Sequence, residues 1–572
     1  MKCSTFALGP VTLLIAGLLV SPLFAQSESD LDLIKQLGGD DKKSEKKKVD
    51  DKNKDPRNIA PSGDKNSTMD AKTRLRIQAA EIFSGARAKA NRTPLTEQIV
   101  GPPMNAREKA YHILNRAAFG ARPGMVDELE RSGWDAWLEE QLDPDSIDDS
   151  KVEKMLAEKF PLLTKSMGAM ESHMIENCTR DTPGCDRPGC PSKKDLYSQL
   201  PQKVMMRAAL SERQLKQVVA EFWRNHFSVN QRLQSNKMCF STVDWEENVI
   251  QKHCMGKFRD MLLASAHHPT MLEYLDNWLS KNGAHNENYA RELMELHTLG
   301  VDSYYNESDV LELTKALTGW QFKWDRNAKN GRSLVYYFNT SHHNGAPKKL
   351  LGRPIAGGYK GGIYAVSMLA AHPGTANYIS YKLCRYFVND NPPPAMVRRI
   401  ASVFRASKGD LPKVYKAILT SPEFWNRKNY RAKFKTPFEF AVSSLRVTNA
   451  KIDNAHTAAS FLDLMGQPIY QCADPTGYYD QAEAWLDSGV LTRRWDYALQ
   501  MSRSSLKGVS VPGSFIGKYE KLESDKMKGQ MVSDIIGADI GDRTKKLLDT
   551  YASHGTTSAL GIVIGSPAFQ QQ

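Results

Sequence analysis

From about Asn105 onward, apolar residues recur at spacings of three and four and are interrupted at Gly and Pro. That is the period of helices burying one face. The pattern predicts helices over Ala106–Ala118, Pro123–Arg131, Trp134–Leu142, Lys203–Phe227, Val243–Ala266, Glu287–Leu299 and Asp309–Thr318. Ile363–Ala371, Thr375–Phe387, Pro394–Ala406 and Leu411–Leu419 follow. Alternating runs are scarce; Ser333–Phe338 is the best strand, enough for at most a small β-hairpin. The expectation is a mainly α protein: a large multi-helix globular domain with long loops over 105–572, preceded by a helical or loop lead-in over 69–104. Ser421-Pro-Glu-Phe424 and Ser566-Pro-Ala-Phe569 repeat one punctuation, a Ser placed to cap a helix whose first residue is Pro.

Two helices carry candidate chemistry. Advancing roughly 100° per residue along Asn286–Gly300 puts Tyr289, Ala290, Leu293, Met294 and Leu296 on one arc, with His297 near its centre. Glu287, Arg291 and Glu295 form an i, i+4, i+8 ladder opposite, and Glu292 sits at the border. Over Leu215–Phe227 the same projection groups Leu215, Val218, Val219, Phe222 and Trp223 around His226 and turns Glu221 well away. Two histidines centred on apolar faces can be metal ligands, a general base with its partner, or neutral side chains satisfied by hydrogen bonds. The candidate catalytic set is His226 and His297 with Glu292 or Arg291 at the edge. The candidate ligand set for one divalent metal is His226, His297 and His343 from the loop after Phe338. A di-iron carboxylate bundle is disfavoured, because Met294 stands where Glu-x-x-His needs its acid.

Composition adds a compartment. Residues Phe6–Val20 form a fifteen-residue apolar run after Lys2, and Ser21–Ala25 offers a cleavage site despite the bulky Leu23, so 1–25 reads as a signal peptide of an exported protein. The run is short for a membrane span, and no later segment approaches one. Residues 26–68 are poor in apolar side chains and read as a disordered charged linker; its nine acidic and nine basic residues between Gln26 and Pro61 cancel. The net charge of +12 therefore lies elsewhere: Tyr381–Ala450 holds fourteen Lys or Arg against four Asp or Glu. Such a stretch is either a solvated helical surface or a site for an anion, with polysaccharide or phosphate favoured over nucleic acid in an exported chain.

Eight cysteines become seven without Cys3. Cys178, Cys185 and Cys190 crowd a turn-rich loop at 174–192 that reads as a stapled surface loop rather than a zinc site, while an odd total implies a free thiol or an intermolecular link. No haem-attachment or nucleotide-binding motif occurs, and neither does a zincin or nucleophile-elbow motif. Gly357-Gly358 and Gly361-Gly362 read as a flexible turn, or more weakly as an anion site at a helix start.

The runs Glu221-Phe-Trp-Arg-Asn-His-Phe227, Asn286–Gly300 and Ala316-Leu-Thr-Gly-Trp320 resemble the bacterial domain-of-unknown-function 1800 family. Met271–Asp276, His343-Asn-Gly345, His372-Pro373 and Leu464–Pro468 support the resemblance, in family order from about Asn105 to Phe569. Pro475-Thr-Gly477 and Trp485 match that pattern only loosely, and the three-cysteine loop is additional. The resemblance implies an exported, mainly helical bacterial protein. It also implies a partnership with a second family related to sulfatases and phosphatases, whose genes often lie adjacent. It implies no activity. Two functions stay open: an enzyme or cofactor protein acting on an anionic extracellular polymer, and a non-catalytic envelope or assembly protein that binds a sulfatase-like partner or polysaccharide.

Overall fold

The structure is a computed structural model that describes residues 102–572 except 177–192, 233–236, 302, 329–330 and 553–554, with the side chains of 174–176 and 193–195 also undescribed. The expected signal peptide, the charged linker, most of the lead-in and the three loop cysteines lie outside the described residues. Helices dominate, and the described strands make three two-stranded antiparallel sheets. The hairpin expected at Ser333–Phe338 pairs with Trp320–Asp325, and two shorter pairs, Lys348–Leu350 with Arg353–Ile355 and Lys451–Ile452 with Val509–Ser510, accompany it. The described residues cluster as one compact unit.

Local chemistry explains several helix starts. Asn105 and Glu108, Asn306 and Asp309, and Thr436 and Glu439 close reciprocal capping boxes, each satisfying two backbone N–H groups at a helix start. His268 and His372, each followed by Pro, cap their helices through ring nitrogens that accept from Thr270 N and Gly374 N. Ser421 and Ser566 accept from Phe424 N and Phe569 N at the same 3.2 Å. Only the second opens a helix, Pro567–Gln570; the first closes a turn.

Three predicted helices are divided. Lys203–Phe227 is split between Lys193–Leu210 and Gln214–His226, because Asp149 draws Ser211 Oγ (2.6 Å) and Glu212 N (3.0 Å) out of the helical ladder. Val243–Ala266 becomes Met238–Trp245, a π-helical stretch Glu246–Gln251, and Phe258–His267. Glu287–Leu299 is likewise a short α-helix, Asn288–Glu292, running into a π-helix, Leu293–Thr298. The wider turn changes which side chains face inward, so Glu295 is buried, while Arg291 still pairs with both Glu287 (3.2 Å) and Glu295 (3.8 Å) as the ladder expects.

Three of the four paired glycines pack tightly against neighbouring groups, while Gly358 has open space around it. A Cβ on Gly357 would lie 2.1 Å from Gly345 O, and one on Gly362 would lie 2.6 Å from the Trp320 ring. The basic stretch Tyr381–Ala450 is only partly a surface. Arg385, Lys433, Lys435 and Arg446 are buried, whereas Arg398, Arg399, Arg405, Lys408, Lys413 and Lys416 are exposed. Arg446 donates to Gly120 O and Ala209 O, both at 3.0 Å, and serves as an internal clamp on backbone carbonyls.

Candidate active site

Helix Gln214–His226 buries Leu215, Val218, Val219, Phe222 and Trp223 as the periodicity requires, and His226 on that face is 2% exposed. Its neighbour across the packing is His297, 1% exposed, held on the π-helical stretch with ring centroids 6.0 Å apart. His226 Nε2 lies 3.2 Å from the His297 backbone carbonyl, and its Nδ1 lies 2.9 Å from Lys382 Nζ on helix Pro373–Phe387. A carbonyl only accepts, so Nε2 carries the hydrogen and Nδ1 is left to accept from the lysine. Both His297 ring nitrogens are buried without a hydrogen-bond partner.

The electrostatics keep both rings neutral. Burial, followed by Lys382 and His297, holds His226 well below the usual histidine range. Burial and Lys382 bring His297 down to about 3. Lys382 is half-buried; burial and neighbouring Arg385 lower it to about 7 against the pull of Asp480. Asp480 is itself bound to Arg385 at 2.8 Å. The loop carrying Asp480 is seated on the end of helix Gln214–His226 by paired amide bonds. Asn225 Nδ2 donates to Tyr478 O (2.8 Å) and Tyr478 N donates to Asn225 Oδ1 (2.6 Å). Gly477, at φ +77°, is required there, since a Cβ would come within 2.3 Å of Asn225 O. The loosely matching Pro475–Gly477 turn is thus part of the site's frame.

The remaining candidates separate. Glu292 is buried, and after burial itself its charge helps to raise Tyr274 and Tyr378, the latter with its ring 5.7 Å from Lys382 Nζ. Arg291 instead binds Glu307 (2.6 Å) and Glu287 (3.2 Å) on the outer side, and is not brought to the histidines. His343 is also placed elsewhere: its Nδ1 donates to Thr318 O and its Nε2 accepts from Gly358 N, each at 2.8 Å. With the nitrogens of His226 and His343 engaged, only His297 keeps free donor atoms, so the three do not form a ligand set. Among the described residues no three His, Cys, Asp or Glu side chains are grouped to hold a metal ion. Cys239, Cys254, Cys384 and Cys472 are all buried.

The opposite face of the same helix holds a second polar cluster. Arg224 makes a two-pronged pair with Glu246, both contacts 3.0 Å, and also binds Glu221; Tyr470 donates to Glu246. Burial favours the protonated form of Glu246, but Arg224, Tyr470 and Gln251 overcome it and hold the group at about 2. Glu221 is raised, by burial and by the charges of Glu246 and Glu439, despite Arg224. Glu221, Arg224, Asn225, Tyr470, Cys472 and Tyr478 line a cavity of about 20 Å³, room for one water molecule.

The model of the family described as "Protein of unknown function (DUF1800)" matches residues 112–571. The chain belongs to the DUF1800 family. The match takes in every group described above: His226, His297 and Lys382 on one side of the helix, Glu221, Arg224 and Glu246 on the other, and Asp480 on the loop. No curated protein and no solved structure matches this DUF1800 chain. Lys382, Glu246 and Asp480 were not singled out from sequence. The available signal for Lys382 was its place in a helix among Leu383, Cys384 and Phe387, where a lone lysine must either reach solvent or find a partner.

Proposed function

We propose that this DUF1800 protein is an exported enzyme that performs acid–base chemistry on an anionic extracellular polymer at the His226–Lys382–His297 centre. One observation carries the reading: a neutral His226 bridges Lys382 Nζ and the His297 carbonyl, beside a second buried imidazole with both nitrogens unused. Leaving a buried polar atom unpaired costs about 1–3 kcal/mol. A site that retains two on one ring has a donor and an acceptor free for a substrate oxygen. Lys382 supplies an amine that can give or take a proton at the same place. The anionic class is supported by Arg398, Arg399 and Arg405, exposed on the helix Pro394–Ala406 that packs against the helix bearing Lys382.

The test is turnover of a panel of anionic polysaccharides (alginate, polygalacturonate, chondroitin sulfate), read as new reducing or unsaturated ends. The wild-type protein is expected to cleave at least one, and His226→Gln, His297→Gln and Lys382→Met to abolish that cleavage with unchanged circular dichroism. Equal turnover by all three variants would overturn the assignment. The alternative, a non-catalytic envelope or assembly protein binding a sulfatase-related partner or polysaccharide, draws on the exposed basic face alone. It expects polymer retention without cleavage, lost on Arg398→Glu with Arg405→Glu and unaffected by His297→Gln.

A further inference from the structure

The position of Lys382 names the reactive group that a substrate would present, an inference that rests on the acid–base reading of the same site. We propose that Lys382 is a nucleophilic amine that condenses with an aldehyde or ketone carbon to give an imine, with His226 carrying the proton. A lysine that only stabilises the fold is normally found against a carboxylate or with its ammonium in water. Lys382 has neither arrangement. Among the described residues it makes no ion pair: the adjacent carboxylate of Asp480 is taken by Arg385 at 2.8 Å. Its partners are the lone pair of His226 Nδ1 at 2.9 Å and the face of Tyr378. The residue as a whole is half-buried, and protein rather than water surrounds its amine. Burial and Arg385 disfavour the ammonium, which supports the geometric argument.

His226 is built to receive and return a proton without moving. Its Nε2–H stays on the His297 carbonyl while Nδ1 faces the amine. In the first step Nδ1 takes a proton from the Lys382 ammonium, and the freed nitrogen lone pair attacks the carbonyl carbon. A nitrogen–carbon bond forms as the carbonyl π pair moves to oxygen, and a proton passes from nitrogen to that oxygen. His226 then returns its proton to the hydroxyl, which leaves as water while the nitrogen lone pair closes the double bond. The sum is one ammonium and one carbonyl giving one protonated imine and one water, with no change of oxidation state.

The full chain is treated with propionaldehyde and cyanoborohydride at neutral pH, which reduces any imine to a stable amine, and labelled lysines are mapped by mass spectrometry. Lys382 is expected to be labelled at least about tenfold faster than exposed Lys408 in the same molecule, since an amine lowered to about 7 is about half neutral at that pH. Unfolding in urea should erase the difference. His226→Gln should slow labelling at Lys382 about tenfold and leave Lys408 unchanged. Labelling of Lys382 no faster than Lys408 in the folded protein would overturn the proposal. If that occurs while His226→Gln and His297→Gln still abolish polymer cleavage, the acid–base reading stands and only the imine chemistry falls. Fast labelling with cleavage intact in both variants would separate them the other way.

Discussion

Replacing Glu246 with Gln should destabilise the protein strongly near neutral pH and hardly at all in acid. The carboxylate is fully buried and receives two Arg224 contacts at 3.0 Å, with Tyr470 donating as well. Its shift from the usual 4.5 to about 2 corresponds to about 3 kcal/mol of stability, taking 1.36 kcal/mol per unit. Breaking a buried pair by removing one partner gives a similar independent figure, about 3–5 kcal/mol. Glu221 also binds Arg224, so the guanidinium keeps one anion and the lower figure, about 3 kcal/mol, is expected. The sign follows from linkage: a carboxyl whose folded pKa is depressed stabilises fully above its unfolded value and loses that contribution as pH falls through the folded one. Urea unfolding of wild type and Glu246→Gln should therefore differ by about 3 kcal/mol at pH 7 and converge between about pH 4.5 and pH 2. A difference below about 1 kcal/mol at pH 7, or one that persists unchanged as pH approaches 2, would refute the reasoning.

Three further outcomes follow from the same geometry. Glu221→Gln, removing a raised carboxyl that repels Glu246, should leave stability at pH 7 within about 1 kcal/mol of wild type or slightly above it, in contrast to Glu246→Gln. Gly477→Ala should displace the loop that positions Asp480, read as faster hydrogen exchange over 474–480 and a loss of about 1–3 kcal/mol on unfolding. Lys382→Met should raise stability at neutral pH by about 1–2 kcal/mol while abolishing turnover, because a lysine with a lowered folded pKa penalises the fold most below that value and not at all above its unfolded one. A melting temperature that falls in Lys382→Met would contradict the view that the amine is held at a cost.

What could be read from sequence follows the physics of each feature. His226 and His297 were legible because burial of a helical stripe is periodic, and both lie on their predicted stripes. Glu292 came out on the inner side and Arg291 on the outer. The π-helical turns at Glu246–Gln251 and Leu293–Thr298 were not legible, since a fixed 3.6-residue period has no term for an inserted residue. That insertion is also why Glu295 is buried. Lys382 and Arg385 were hidden inside a stretch whose net charge reads as surface. Only tertiary packing shows that four cations of that stretch lie within the protein, among them Arg446 on backbone carbonyls. Asp480 sits in a turn without periodicity, and its role depends on the Asn225–Tyr478 bonds, partners far apart in sequence.

The most direct test of the account is the nitrogen-15 spectrum of histidine-labelled protein, with His226 and His297 assigned through their Gln variants. The account requires His226 as the neutral ring protonated on Nε2, His297 neutral as well, and both unchanged from pH 8 down to the ordinary histidine value near pH 6.5. A His226 that is charged in that range, or that carries its proton on Nδ1, would contradict the Lys382–His226–His297 arrangement on which the proposed chemistry depends.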